Sequence, residues 1–210
     1  MKHVEVPINP AVCGRELELQ IARQCAPLLT GIKISNILIT AIQHTEKVHE
    51  IFYGSLIKVK CIYRDENKIT FLLYRQEELS CHLNQSEVKE FMVQMGYQDK
   101  DLDEILRLFS ERFHSHMKYR DSFPHEMGIL LGYPVTDVIG FMENQGRNYL
   151  YLGYWKVYGN LSEALHTFHR FKQAKALVTN LVVNGRSIHS VIHNDAIRQH
   201  KMDSFQMMAL

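Results

Sequence analysis

The sequence is short of what marks several large protein classes. Its 11 glycines and 5 prolines among 210 residues fall below average usage, which favours helices and short loops over a turn-rich all-β sandwich. Neither charge sign dominates. With 24 Lys and Arg against 23 Asp and Glu, the net charge is +1, so no field is built to draw nucleic acid or an anionic membrane. Long apolar runs are missing too, and Met127 to Thr136 covers only about half a membrane span. The four cysteines, Cys13, Cys25, Cys61 and Cys81, form no CxxC pair. No GxxxxGK[ST], GxGxxG, GxSxG or HExxH occurs, so a P-loop, a dinucleotide site, a serine-hydrolase elbow and a zinc-protease helix have no support.

What is present describes an ordinary globular protein. Hydrophobic residues make up 46% and charged residues 22%, enough apolar material for a core. The opening MKHVEVPINPAV carries Glu5 and two prolines where a secretion signal would have an apolar run. The expectation is a cytoplasmic protein with free thiols. Twelve histidines would dominate its charge changes between pH 5 and 8.

Periodicity divides the chain into elements. Leu17, Ile21, Ala22 and Cys25 share a face of a helix from about Arg15 to Cys25, which Pro27 and Gly31 interrupt. Ile34 to Ile42 reads as a buried strand. Residues 55–63 and 68–74 read as a hairpin around the polar turn Arg64-Asp65-Glu66-Asn67. Glu77 to Gly96 reads as helical, capped at Asn84 or Ser86, and Leu102 to about His116 as an amphipathic helix. Six of the eleven glycines lie between Gly128 and Gly159, and five of the ten tyrosines between Tyr133 and Tyr158. Two short helices fit there, from Pro124 to Gly132 and from Pro134 to Asn144. Asn148 to Tyr158 then reads as an aromatic strand, apolar on both faces and central in the sheet. A last long helix starts at an Asn160 cap and ends at Gly185, leaving Arg186 to Leu210 as a polar, His-rich tail. The expected fold is α+β: one compact domain over residues 1–185, with a small mixed or antiparallel sheet of about four strands packed with helices.

Several of these segments resemble a bacterial family known as domain of unknown function 3793, common in anaerobic Firmicutes. The resemblance rests on Cys25-Ala26-Pro27, Gly31-Ile32-Lys33, Phe123-Pro124-His125-Glu126-Met127-Gly128, Leu131-Gly132-Tyr133-Pro134, Asp137-Val138 and Gly153-Tyr154-Trp155-Lys156-Val157-Tyr158. It spans about Cys13 to Gly185. Gln24 and Leu28 stand where the family usually has His and Thr. The resemblance implies membership and brings no activity with it.

Three groups of residues are candidates for chemistry. His125 and Glu126 fall in the first turn after Pro124, where backbone N–H groups favour anions, so His125 could act as acid or base with Glu126 orienting it. The alternative is a dipole-matched Glu126 and a packed His125. Cys25 could be a nucleophile beside Lys33 and pair with His125, or simply a small core hydrophobe. On the Gly153–Tyr158 strand, Lys156 would share a face with Leu150, Leu152, Tyr154 and Tyr158 and could hold a phosphate or carboxylate, or only snorkel. The pairs His166 with His169 and His189 with His193 have helical spacing for metal, but no matching carboxylate or cysteine completes either set. No metal site is expected, and no cofactor is assigned.

The leading expectation is a pocket for a small anionic ligand, bound or transformed, around the Phe123–Glu126 helix start and the Gly153–Tyr158 strand. Its candidate ligands are Lys33, Tyr133, Tyr154, Lys156 and Tyr158. The alternative is a non-catalytic interaction or regulatory module, with redox or iron metabolism of an anaerobe as one setting. It would use exposed aromatics and the Met207-Met208 tail to meet a protein partner.

Overall fold

In the computed structural model, residues 10–193 are described, with side chains from Arg15 onward. The strand that organises them is β3 (Lys68–Arg75), whose residues 69–74 are all buried. Such a run is the mark of a strand covered on both faces. It pairs antiparallel with β1 (Ser35–Ala41) on one side and β2 (Ile57–Arg64) on the other, giving the order β1-β3-β2. Side chains alternate along a strand, so Ile69, Phe71 and Leu73 serve one face while Leu72 and Tyr74 serve the other. The β2–β3 turn closes as its residues suggest: the Asp65 carboxylate accepts the backbone N–H of Asn67 and Lys68, each at 2.8 Å.

Helices cover both faces. On the first face lie α1 (Pro10–Leu29), α2 (Thr45–Phe52), α8 (Leu161–Val183) and α9 (Ile188–Ile192). On the second lie α3 (Gln76–Leu83), α4 (Ser86–Gln94), α5 (Leu102–Tyr119), α6 (Glu126–Leu130) and α7 (Val135–Glu143). A bulge in β2 seats Tyr63 opposite Thr70. That turns Tyr63 onto the second face, against Phe113 of α5. Helix α5 begins with a full capping box between Asp101 and Glu104, a device worth about 1 kcal/mol.

The α+β class stands, and some elements differ from expectation. Pro27 lies inside α1, in its last turn, where it has no N–H for the Arg23 carbonyl; its own carbonyl accepts Ile32 and Lys33 N–H at 2.9 and 3.0 Å as the helix ends. The helix expected over residues 77–96 is two helices, broken where Gln85 turns extended. Neither Asn84 nor Ser86 caps it: Gln85 holds the N-cap position without a side-chain bond, and the Asn84 amide donates to the Ser80 carbonyl. The largest difference is at residues 148–158. They form a separate hairpin of β4 (Tyr151–Leu152) and β5 (Lys156–Val157), each only two residues long. Of its aromatic and aliphatic residues only Val157 is fully buried, and Leu150 and Leu152 are each 58% exposed. Their apolar character serves a surface and a pocket wall rather than a sheet core. The stretch read as a tail starts with α9, whose Ile188, Val191 and Ile192 join the core beside α1 and α8. Residues 194–210, with Met207 and Met208, lie outside the described part.

Candidate functional site

Helix α6 ends in a tight turn. Gly132 takes φ +73°, the Gly132 N–H bonds the Ile129 carbonyl at 2.8 Å and the Tyr133 N–H bonds the Gly128 carbonyl at 2.9 Å. This glycine-terminated motif reverses the chain and leads it through Pro134 into α7. Asp137 then falls in the first turn of α7, 4% exposed. One carboxylate oxygen accepts the Tyr158 and Gly159 backbone N–H groups, each at 2.8 Å, and the other accepts the Trp155 indole N–H at 2.6 Å. These bonds dock the β4–β5 hairpin on α7. The helix permits the approach because position 140 is glycine: a Cβ there would sit 2.5 Å from the Tyr158 Cβ.

Between α6, α7 and the hairpin lies a pocket of about 350 Å³. Its wall is mostly apolar, and Tyr133, Phe141 and Trp155 supply much of it. Tyr133 stacks on Trp155 with centroids 4.8 Å apart and ring planes at 27°. Phe168 of α8 meets the indole edge-on at 4.5 Å, so the sole tryptophan of the chain is fixed by packing and by its bond to Asp137.

Two basic groups stand in this wall. The Lys156 ammonium donates to the Gly146 carbonyl at 2.7 Å and lies 5.4 and 5.2 Å from the Phe141 and Tyr149 ring centroids. Among the described residues no carboxylate lies within ion-pair reach of it. An ammonium has three donors, and here one is in use. His125 sits between Phe123 and Phe141, at 5.5 and 5.7 Å between centroids. Burial pushes its pKa below 6.5, against the opposing pull of Glu126, so its imidazole is neutral at pH 7 and offers one donor and one acceptor.

Of the residues singled out from sequence, His125, Tyr133, Tyr154 and Lys156 line this pocket. The others go elsewhere. Glu126, 2% exposed, accepts the Tyr97 hydroxyl at 2.7 Å and an Arg112 guanidinium N–H at 3.0 Å. It ties α6 to α5 and does not orient His125 toward the pocket. Cys25 is fully buried in the α1 face of the core, on the other side of the sheet from α6, so no Cys25–His125 pair forms. Burial pushes its thiol up to about 12, despite an Asn36 amide at 3.6 Å and the nearby Lys33 charge. Lys33 donates to the Asn36 side chain at 3.1 Å and lies 5.2 Å from the Tyr133 ring centroid, outside the pocket lining. Tyr158 packs against Gly140, outside the lining. A regular strand would send the neighbours Trp155 and Lys156 to opposite faces, but the chain turns at Gly153 and Tyr154 and both reach the pocket.

Among the lining residues without a role expected from sequence are Phe123, Asp137, Phe141 and Trp155. Asp137 is an acid in a first helical turn after proline, the same local signal that marks Glu126. Phe123 and Phe141 are apolar positions with no pattern of their own. Of the histidine pairs, His166 and His169 are exposed, the His189 and His193 rings meet at a tilt with centroids 4.4 Å apart, and no cluster of three metal-binding side chains exists among the described residues. No helix among those residues is long and apolar enough to cross a membrane.

Residues 21–192 match the model of a family described as Protein of unknown function (DUF3793). The chain belongs to this family. No curated protein and no solved structure matches it. The matched span covers every DUF3793 element that builds the pocket, from α6 through α7 and the hairpin to Phe168.

Proposed function

We propose that this DUF3793 protein binds a small organic anion in the pocket between α6, α7 and the β4–β5 hairpin. The observation that carries the reading is Lys156, a cation held in an aromatic wall by one carbonyl and two ring faces, with no carboxylate partner among the described residues. A mostly apolar concavity with one or two convergent polar groups is the usual form of a small-molecule site. The neutral His125 beside it adds a hydrogen-bond donor and acceptor, and could exchange a proton with a bound ligand.

Titration with 8-anilino-1-naphthalenesulfonate tests this. The dye should bind at one saturable site with energy transfer from Trp155, and Lys156→Met should weaken it about tenfold while the melting temperature holds. Binding unchanged by Lys156→Met, or dye uptake without saturation, would contradict the reading.

A second reading, an interaction surface, draws on the exposed run Tyr149, Leu150, Tyr151 and Leu152. It predicts self-association that Leu150→Asp with Leu152→Asp removes, read as molar mass by light scattering.

A further inference from the structure

The walls of this pocket constrain its ligand beyond charge and size. The Tyr133 and Trp155 rings are nearly parallel, and both are immobilised. The indole is held at its N–H by Asp137 and at its edge by Phe168. Gly128 backs the Tyr133 side, where a Cβ would lie 2.7 Å from Val138 and 3.5 Å from the Tyr133 ring. Phe141, also in the lining, has the Lys156 ammonium over its ring at 5.4 Å and the tilted His125 ring at 5.7 Å. Trp155 covers one face of Tyr133 and Lys33 lies over that ring, so the rings bound the space mainly with rigid edges, which favour edge-on aromatic partners by about 0.5–1.5 kcal/mol per pair beyond area burial.

The polar complement is just as restrictive. It holds one ammonium and no guanidinium. The backbone N–H groups of Asp137 and Val138 at the start of α7 both go to the Pro134 carbonyl. The Asp137 carboxylate is already engaged by three donors. A doubly charged phosphoryl group calls for several convergent charged donors, and the lining supplies one, Lys156, beside the neutral His125, Tyr133 and Tyr154. A single negative charge matches the one ammonium of the lining, with the His125 imidazole to bond a second oxygen or a ring substituent.

Resting on the anion-pocket reading above, we infer that the ligand class is a planar aromatic or heteroaromatic monocarboxylate. Its ring lies along the Tyr133–Trp155 wall and its carboxylate meets Lys156.

Calorimetric titration of the full chain with four probes at equal ionic strength tests this: 2-naphthoate, 2-naphthamide, 2-naphthyl phosphate and octanoate. The expected result is one 2-naphthoate site, at least tenfold tighter than each of the other three, weakened about tenfold in Lys156→Met and largely restored in Lys156→Arg. Octanoate binding as tightly as naphthoate would overturn the planar class and leave the anion pocket standing. Tighter 2-naphthyl phosphate would overturn the carboxylate assignment alone. Equal binding of the amide, or indifference to both Lys156 variants, would overturn the role of the ammonium. Binding by none of the four would overturn this inference and the anion-pocket reading together.

Discussion

The Trp155 indole N–H donates to the Asp137 carboxylate at 2.6 Å, and the other oxygen of that carboxylate takes the backbone N–H groups of Tyr158 and Gly159. One buried acid thus joins a helix, a hairpin and the aromatic wall of the pocket. Asp137→Ala strands three buried donors, each worth about 1–3 kcal/mol when left unpaired. The expected result is a loss of about 3 kcal/mol in urea unfolding and a red-shifted Trp155 emission as the indole meets water. Asp137→Asn keeps an acceptor for the two backbone groups and should lose less. Equal stability of Asp137→Ala and wild type would contradict the clamp.

Glu126 supplies a contrast, since its carboxylate points to Tyr97 and Arg112 rather than the pocket. Burial, with the bond to Glu126 adding to it, raises the Tyr97 pKa well above its ordinary value, so the phenol stays a donor. Glu126→Gln should cost about 2 kcal/mol of stability, the scale of hydrogen bonds to charged groups. It should leave the affinity for 2-naphthoate within about threefold. A large loss of affinity at unchanged stability would place Glu126 in the site instead.

Thiol chemistry separates Cys25 from the surface cysteines. The thiolate is the reactive form, and a buried thiol held near 12 supplies almost none of it. Iodoacetamide at pH 8 followed by peptide mapping should modify the exposed Cys61 and Cys81 and reach Cys25 only after unfolding. Rapid alkylation of Cys25 in the folded chain would contradict its burial.

Lys33 gives a pH dependence of definite sign. Burial lowers its amine from 10.5 to about 8, so between these values the unfolded chain binds more protons than the folded one. Stability contributed at Lys33 therefore rises as pH climbs through that window. Lys33→Met lacks the titration, while Cys25 titrates in both proteins and cancels in the difference. From pH 7.5 to 10, wild type should gain about 1–2 kcal/mol over Lys33→Met in denaturant unfolding. A difference that stays constant across the window would contradict this.

Local signals in the sequence carried much of the fold. Asp65 named its own turn, Asn160 sat at a real helix cap, and the β-branched run from Ile34 marked β1. Residues 148–158 misled because an apolar run signals burial without saying against what. The same residues would suit a central strand, yet that place belongs to β3, and the hairpin turns at Gly153, where a Cβ would lie 2.1 Å from Phe168. His125, Tyr133, Tyr154 and Lys156 came forward as residue types, but their meeting depends on the Gly132 turn, the Gly140 approach and the Asp137 clamp. Those are relations between elements, invisible to spacing along the chain. Cys25 and Lys33 share a sequence neighbourhood with a candidate motif and belong to the core and its edge.

The central claim is that an anion seats beside Trp155 and Lys156, and the single indole of the chain allows a direct test. In an amide and indole nitrogen–proton correlation spectrum, Trp155 gives one Nε1–H peak. Titration with 2-naphthoate should move that peak saturably in wild type and leave it nearly still, at the same concentrations, in Lys156→Met. A peak that stays fixed in wild type while resonances elsewhere shift would place the ligand outside this pocket and contradict the account.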